Sequence, residues 1–177
     1  MKVGLPTIMH TGNHLAQQHI FKDFKQCPHT AITGEGNLLV TNHVIDDLMD
    51  RWRETIFKVD HVFTVIRHPA RVMESFRRRG RSLKAGDRQY DESSNFETQW
   101  KNLIELDEKC MINYIHVDSE DRDWDIDHGS ELLGVELGKD WPVLGEQQGT
   151  KDLILTKKHI DPVPYWIMDF YKDIIRR

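Results

Sequence analysis

Apolar residues along this chain fall into two rhythms that take turns. Short, nearly continuous runs, "KVGLPTI" (Lys2–Ile8), "NLLVTNH" (Asn37–His43), "HVFTVIR" (His61–Arg67) and "CMINYIHVD" (Cys110–Asp118), have the aliphatic and β-branched content of buried strands. Between and after them come segments whose apolar residues recur every three or four positions: "NHLAQQHIFKDF" (Asn13–Phe24), "VIDDLMDRWRETI", "PARVMESFRRR", "NFETQWKNLIELDEK" and "PVPYWIMDFYKDIIRR". That spacing places one apolar stripe on each helix. Pro69 suits a first helical turn, where its missing N–H costs nothing. Repeated strand–helix alternation predicts an α/β fold, a three-layer sandwich around a mainly parallel sheet. No repeat, linker or low-complexity tract interrupts it, so residues 1–177 are expected to form a single domain. Trp52, Trp100, Trp166 and Tyr165 sit in the helical patterns and are expected in the core.

Composition narrows the function classes without choosing one. The chain is 38% hydrophobic and 30% charged over 177 residues, ordinary for a soluble globular protein. A formal net charge of −5 argues against a dedicated nucleic-acid binder. No apolar run reaches membrane length and the N-terminus lacks a signal-peptide pattern, so no membrane association is expected and the cytoplasm is the expected compartment. Cys27 and Cys110 match no metal or redox spacing and read as reduced, semi-buried thiols.

In a parallel α/β fold, ligands bind beyond the carboxyl ends of the strands, where helix N-termini present N–H groups. Three strand ends therefore attract notice: "MHTGNH" (Met9–His14), "TNH" (Thr41–His43) and "RHP" (Arg67–Pro69). In the first, Gly12 would let the backbone approach an anion, with the N–H groups of Gly12, Asn13, His14 and Leu15 facing it. No lysine or magnesium-holding hydroxyl follows Gly12, so the loop is not a Walker A motif. On its residues alone it reads first as an ordinary strand-to-helix turn. Arg67 is suited to bidentate contact with a phosphate, and Ser75, eight positions on, would add a hydroxyl from the following helix. The plainer alternative is an arginine paired with an acidic side chain and a serine on a solvated face.

The segment "VFTVIRHPARVMESF" resembles the 3′-phosphate-binding motif of sulfotransferases that use 3′-phosphoadenosine 5′-phosphosulfate (PAPS). In that family a hydrophobic strand ends in Arg, with Pro two and Ser eight positions later, as Arg67, Pro69 and Ser75 do here. "MHTGNHL" is similar to the family's 5′-phosphosulfate loop, with Thr11 and Gly12 matching. "LLVTNHV" is similar to its second strand, whose histidine, here His43, is the catalytic base. The resemblance spans roughly Lys2 to Phe76. It implies a P-loop NTPase-like, sulfotransferase-like fold, PAPS as co-substrate with no metal, and transfer of a sulfuryl group to a hydroxyl or amine of a small-molecule or glycan acceptor. Catalytic roles then fall to His43 and His10, and donor binding to Thr11, Gly12, Asn13, His14, Leu15, Arg67 and Ser75. The chain departs from the family where His10 replaces the loop lysine or arginine, where Asn13 and His14 replace a hydroxyl pair, and where Leu15 replaces the adenine-stacking aromatic. "QQGTKD" (Gln147–Asp152) is a weak counterpart of the family's late phosphate-binding segment. Two other readings stand beside it: a non-catalytic module binding 3′-phosphoadenosine 5′-phosphate (PAP), which His10 in place of the loop cation favours, and a small P-loop kinase, against which the missing Walker lysine and magnesium-holding hydroxyl weigh.

Two further segments invite chemistry. "RRRGRSLKAGDR" (Arg77–Arg88) places six basic residues in twelve and reads either as a solvated loop or as an attractor of acidic acceptors. Asp123, Asp125 and Asp127 have a calcium-like spacing, but His128 stands where an EF-hand loop needs glycine, so the segment is expected to be an acidic loop and helix start. His10 and His14 are four apart, but no accompanying ligand set supports a metal site.

Overall fold

A computed structural model describes residues 1–79, 95–118, 122–140 and 153–176. Among these residues five strands form one sheet: β1 (Lys2–Thr7), β2 (Lys25–Gln26), β3 (Leu38–His43), β4 (His61–Ile66) and β5 (Ile112–His116). They lie in the order β2-β3-β1-β4-β5, and every pairing is parallel. The helices are α1 (Asn13–Leu15), α2 (Asp46–Thr55), α3 (Pro69–Arg78), α4 (Phe96–Lys109), α5 (Arg122–Leu133), α6 (Lys157–Ile160) and α7 (Tyr165–Ile174). The α/β class and the parallel sheet expected from the apolar rhythm are what the chain adopts.

Two apolar clusters lie on opposite faces of the sheet. Alternate residues of β4 divide between them: Val62 and Ile66 join one, Phe63 and Val65 the other. The first cluster takes the stripes of α2, α3, α4 and α7, including Trp52, Phe76 and Trp100. The second takes Ala16, Ile20 and Phe21 from the segment after α1, with Ile126 and Leu133 of α5. Trp52 and Trp100 are fully buried as expected, and Trp166 packs against the first cluster. Tyr165 is 77% exposed, against the expectation. It is the first residue of α7, preceding the turn that meets the core, so the stripe begins at Ile167.

Three local departures have physical causes. The helix expected through Phe24 is α-helical only for Asn13–Leu15 and then widens into a π-turn, Ala16–Ile20, closed by Phe21 N–H on the Ala16 carbonyl. The wider turn brings Ala16, Ile20 and Phe21 inward together. Edge strand β2 was missed because both of its residues are polar and exposed, leaving no apolar signal. Pro6 lies in the central strand, where proline is normally excluded. The β1–β4 ladder is registered only at Val3 and Gly4, and the Thr64 hydroxyl donates to the Pro6 carbonyl at 2.5 Å, so the side of Pro6 that lacks an N–H faces β4.

Gly138 closes the second cluster from outside. Its N–H donates to the Ile20 carbonyl at 2.9 Å, and a Cβ at this position would lie 1.8 Å from the His19 carbonyl oxygen. Because the obstacle is backbone, no rotamer change relieves it. Gly138→Ala is expected to cost about 3 kcal/mol, lowering the thermal midpoint by roughly 10 °C for a chain of this size. A thermal melt indistinguishable from wild type would refute this account of the contact.

Candidate functional site

Because all strands run the same way, their carboxyl ends share one edge, where Thr7, His43, Ile66 and His116 end β1, β3, β4 and β5. The three strand ends singled out in the sequence are therefore neighbours. Thr7 pairs directly with His43, and the Thr7 hydroxyl lies 3.2 Å from His43 Nδ1 and 3.3 Å from the Asn42 carbonyl. A hydroxyl donating to that carbonyl is placed to accept from an Nδ1–H, an arrangement suited to the tautomer that leaves Nε2 of the His43 ring as the acceptor nitrogen. The Trp52 indole donates to the His43 carbonyl at 3.4 Å, further fixing the strand end.

The loop after β1 is held from several directions. Thr11 is fully buried, its hydroxyl donating to the Ile8 carbonyl at 2.7 Å. The Met9 N–H donates to Gln99 Oε1 of α4 at 2.7 Å. His10 has φ of 68°, in the left-handed region, and its ring packs edge-on against Phe76 with centroids 4.8 Å apart. Such a conformation costs a non-glycine residue of order 1 kcal/mol and persists where neighbours hold it. Gly12 follows with φ of 106° and starts the helix, its carbonyl accepting from the Ala16 N–H. The Asn13 side chain turns inward, with Oδ1 accepting from the Thr41 hydroxyl at 2.9 Å and from Gln17 Nε2 at 2.8 Å. Asn13 thus ties the loop to β3 through its side-chain oxygen. His14 is exposed and Leu15 half-buried.

Arg67 is 8% exposed and reaches in two directions. Its Nε donates to both carboxylate oxygens of Asp118, at 3.1 and 3.0 Å, while Nη1 donates to the His10 carbonyl at 3.3 Å. The arginine therefore couples the β4 end to the turn after β5 and to the strained residue of the loop. Arg71 of α3 joins the same carboxylate, with Nε 3.6 Å from Asp118 Oδ2. Ser75 lies half-buried on α3, one turn further along. The basic residues after Arg79 up to Arg88 and the Gln147–Asp152 segment lie outside the described residues.

The sequence reading missed a second polar pair on this edge. His116 Nδ1 lies 3.0 Å from Asp125 Oδ2, which also accepts from the His116 backbone N–H at 2.8 Å. Asp125 thus belongs to a histidine clamp joining α5 to β5, while Asp123 pairs with Arg122 and Asp127 with Lys139. The three carboxylates face three different partners. The pattern "HVDSEDRDWD" has no regular spacing that would have revealed the clamp, since His116 and Asp125 are nine residues apart across a turn. Among the described residues no group of three or more metal-ligating side chains converges. Both thiols are half-buried, and burial pushes them up, Cys110 to about 11, so they remain protonated at neutral pH.

His68 caps α3, its Nδ1 accepting from the Ala70 N–H at 3.2 Å beside the Tyr171 ring. Burial, then the Arg71 charge, depresses its pKa, with Asp118 opposing. His29, packed edge-on against Trp52, is depressed by burial and then by Arg51. A histidine whose folded pKa lies below its ordinary value near 6.5 favours the folded state when neutral. That contribution is complete above about pH 6.5 and is lost as pH falls through the depressed folded values. Thermal midpoints are therefore expected to fall between pH 7 and pH 5, and His29→Gln should flatten part of the decline. A midpoint that rises on acidification across this interval would contradict the assignment.

No family model matches the chain, and no curated protein matches it. Among solved structures, the shikimate kinase of Bacteroides thetaiotaomicron is similar with a TM-score of 0.43 and 11% sequence identity, over 76% of this chain and 99% of that one. The strand order 2-3-1-4-5, entirely parallel, with a glycine-bearing turn leading from central β1 into a helix, defines an α/β protein with a parallel central sheet. Among the described residues, no helix is long and apolar enough to cross a membrane.

Proposed function

We propose that this chain is a cytoplasmic sulfotransferase that binds PAPS at the carboxyl edge of its sheet and passes the sulfuryl group to a hydroxyl or amine of a small-molecule or glycan acceptor. One observation carries the reading: the loop, His43 and Arg67 are joined to one another, His43 through Thr7 at the foot of the loop and Arg67 through the His10 carbonyl. Elements that would read the two ends of one nucleotide are thereby held in fixed register.

In this reading His43 accepts the acceptor's proton at Nε2 while the acceptor's oxygen or nitrogen bonds to sulfur. The bond from sulfur to the bridging phosphate oxygen breaks, and PAP leaves. The N–H groups from Gly12 to Leu15 face the charge gathering on the leaving phosphate. Thr11, fully buried and bonded to Ile8, shapes the turn. Arg67 and Ser75 hold the 3′-phosphate. The loop has neither the lysine nor the hydroxyl on which a magnesium-dependent kinase site is built, which disfavours the kinase alternative.

The non-catalytic reading has its own supporting observation. His10, standing where the family has a loop cation, packs its ring on fully buried Phe76. A module that kept the nucleotide site and lost turnover would look the same.

Calorimetric titration with PAP, with AMP and Mg-ATP as controls, separates these readings. Binding that depends on the 3′-phosphate supports the proposal, and turnover of PAPS with an aryl alcohol then separates enzyme from module. A preference for Mg-ATP, or no binding of PAP, overturns it.

A further inference from the structure

We infer that Arg71 is a second phosphate-binding residue beside Arg67, and that Asp118 occupies this two-arginine receptor as an internal stand-in for the ligand's 3′-phosphate. The inference rests on the nucleotide reading above and specifies how that site is kept when empty.

Three side chains from three elements meet here. Arg67 directly follows β4, Arg71 stands in the first turn of α3, and Asp118 lies in the turn after β5. Both guanidinium groups direct Nε at Asp118 Oδ2, at 3.0 and 3.6 Å, and the three side chains are 9%, 20% and 16% exposed. A carboxylate offers two oxygens and one negative charge. A phosphate monoester offers three oxygens and a charge between −1.5 and −2, a closer match to two convergent guanidinium groups.

The turn makes an exchange mechanically simple. Asp118 as a residue is exposed although its carboxylate is covered, so its backbone lies at the surface and only the side chain turns inward. Rotation about its side-chain bonds would carry the carboxylate to solvent without disturbing β5, whose end is fixed separately by Val117 N–H on the Ile66 carbonyl at 3.1 Å. While the site is empty, Asp118 supplies a shared counter-charge to two largely covered arginines. When a 3′-phosphate arrives it must displace Asp118, so the contact subtracts from the apparent affinity for 3′-phosphorylated nucleotides and leaves AMP untouched.

The test compares PAP and AMP binding by calorimetry in wild type, Asp118→Asn and Arg71→Gln, with thermal melts of each. Asp118→Asn removes the competing charge and should tighten PAP about tenfold, the worth of one modest charge-assisted contact, with AMP unchanged. Arg71→Gln should weaken PAP by a similar factor, again with AMP unchanged. A folded Asp118→Asn protein whose PAP affinity is unchanged or weaker would overturn the stand-in role. If that variant fails to fold, Arg71→Gln carries the test, and unaltered PAP affinity there overturns the two-arginine receptor. If wild type itself does not distinguish PAP from AMP, the nucleotide reading fails, and the inference with it.

Discussion

His43→Ala is expected to reduce sulfuryl transfer from PAPS to an aryl alcohol by about 10²–10⁴-fold, the usual worth of a positioned general base, while PAP affinity stays within about twofold. The split follows from position. His43 ends β3, while the groups proposed to hold the donor belong to the loop after β1, to the end of β4 and to α3. Its ring is oriented by Thr7, so Thr7→Val should give a smaller loss in rate and move the acidic limb of the pH–rate profile, because the hydroxyl that selects the tautomer is gone. A His43→Ala protein that turns over PAPS at the wild-type rate would remove the histidine from the mechanism. One that loses PAP binding along with turnover would show that the ring builds the site rather than performing the chemistry.

Much of the scaffold was legible because the sheet is buried on both faces. Strands β3, β4 and β5 announce themselves as apolar runs since each supplies residues to both clusters, and β1 does so with Val3 and Leu5 in the second cluster and Ile8, just past its end, in the first; a run without alternation is what such a strand requires. Helices α2, α3 and α4 were equally plain, each with one stripe against the first cluster. The elements that escaped lack that signal. β2 is two exposed polar residues whose pairing to Leu38 and Leu39 is a backbone matter. The π-turn at Ala16–Ile20 depends on which residues the second cluster admits, and Tyr165 shares the apolar character of its helix but starts before the buried stripe does.

The candidate site was legible as a set of positions and not as a set of bonds. Strand-end logic brought Met9–His14, His43 and Arg67 to one edge, and the parallel topology does gather them there. The partners were out of reach, because no spacing rule points to them: Gln99 for the Met9 amide and Asp118 for Arg67 lie 90 and 51 residues along the chain, and Asp125 for His116 sits nine residues away across an irregular turn. A chain position says nothing about a contact made ninety residues away. The left-handed His10 was also hidden, since histidine carries no mark of φ as glycine does. The sequence left Arg67 between a phosphate ligand and an acidic side chain. The structure supplies the acidic side chain, and the exchange proposed for Asp118 lets one arginine serve both in turn.

Arg67→Ala is expected to act on stability and on binding together, and the two effects can be separated. Removing a largely covered arginine leaves Asp118, among the described residues, with the longer contact to Arg71 and takes away the donor to the His10 carbonyl, for a cost of about 3 kcal/mol. PAP should weaken by roughly 1.5–3 kcal/mol relative to AMP, the range for a lost charge-assisted contact. If the stability loss comes from an abandoned carboxylate, the double variant Arg67→Ala with Asp118→Asn should recover part of it, because the uncompensated charge has gone. The same double variant should not recover PAP affinity, since the missing arginine is itself the proposed ligand. Equal losses for PAP and AMP in Arg67→Ala would mean the arginine serves only to hold the loop and the turn after β5. Failure of the second substitution to restore any stability would place the damage at the strained His10 rather than at Asp118, because that contact is absent in both variants.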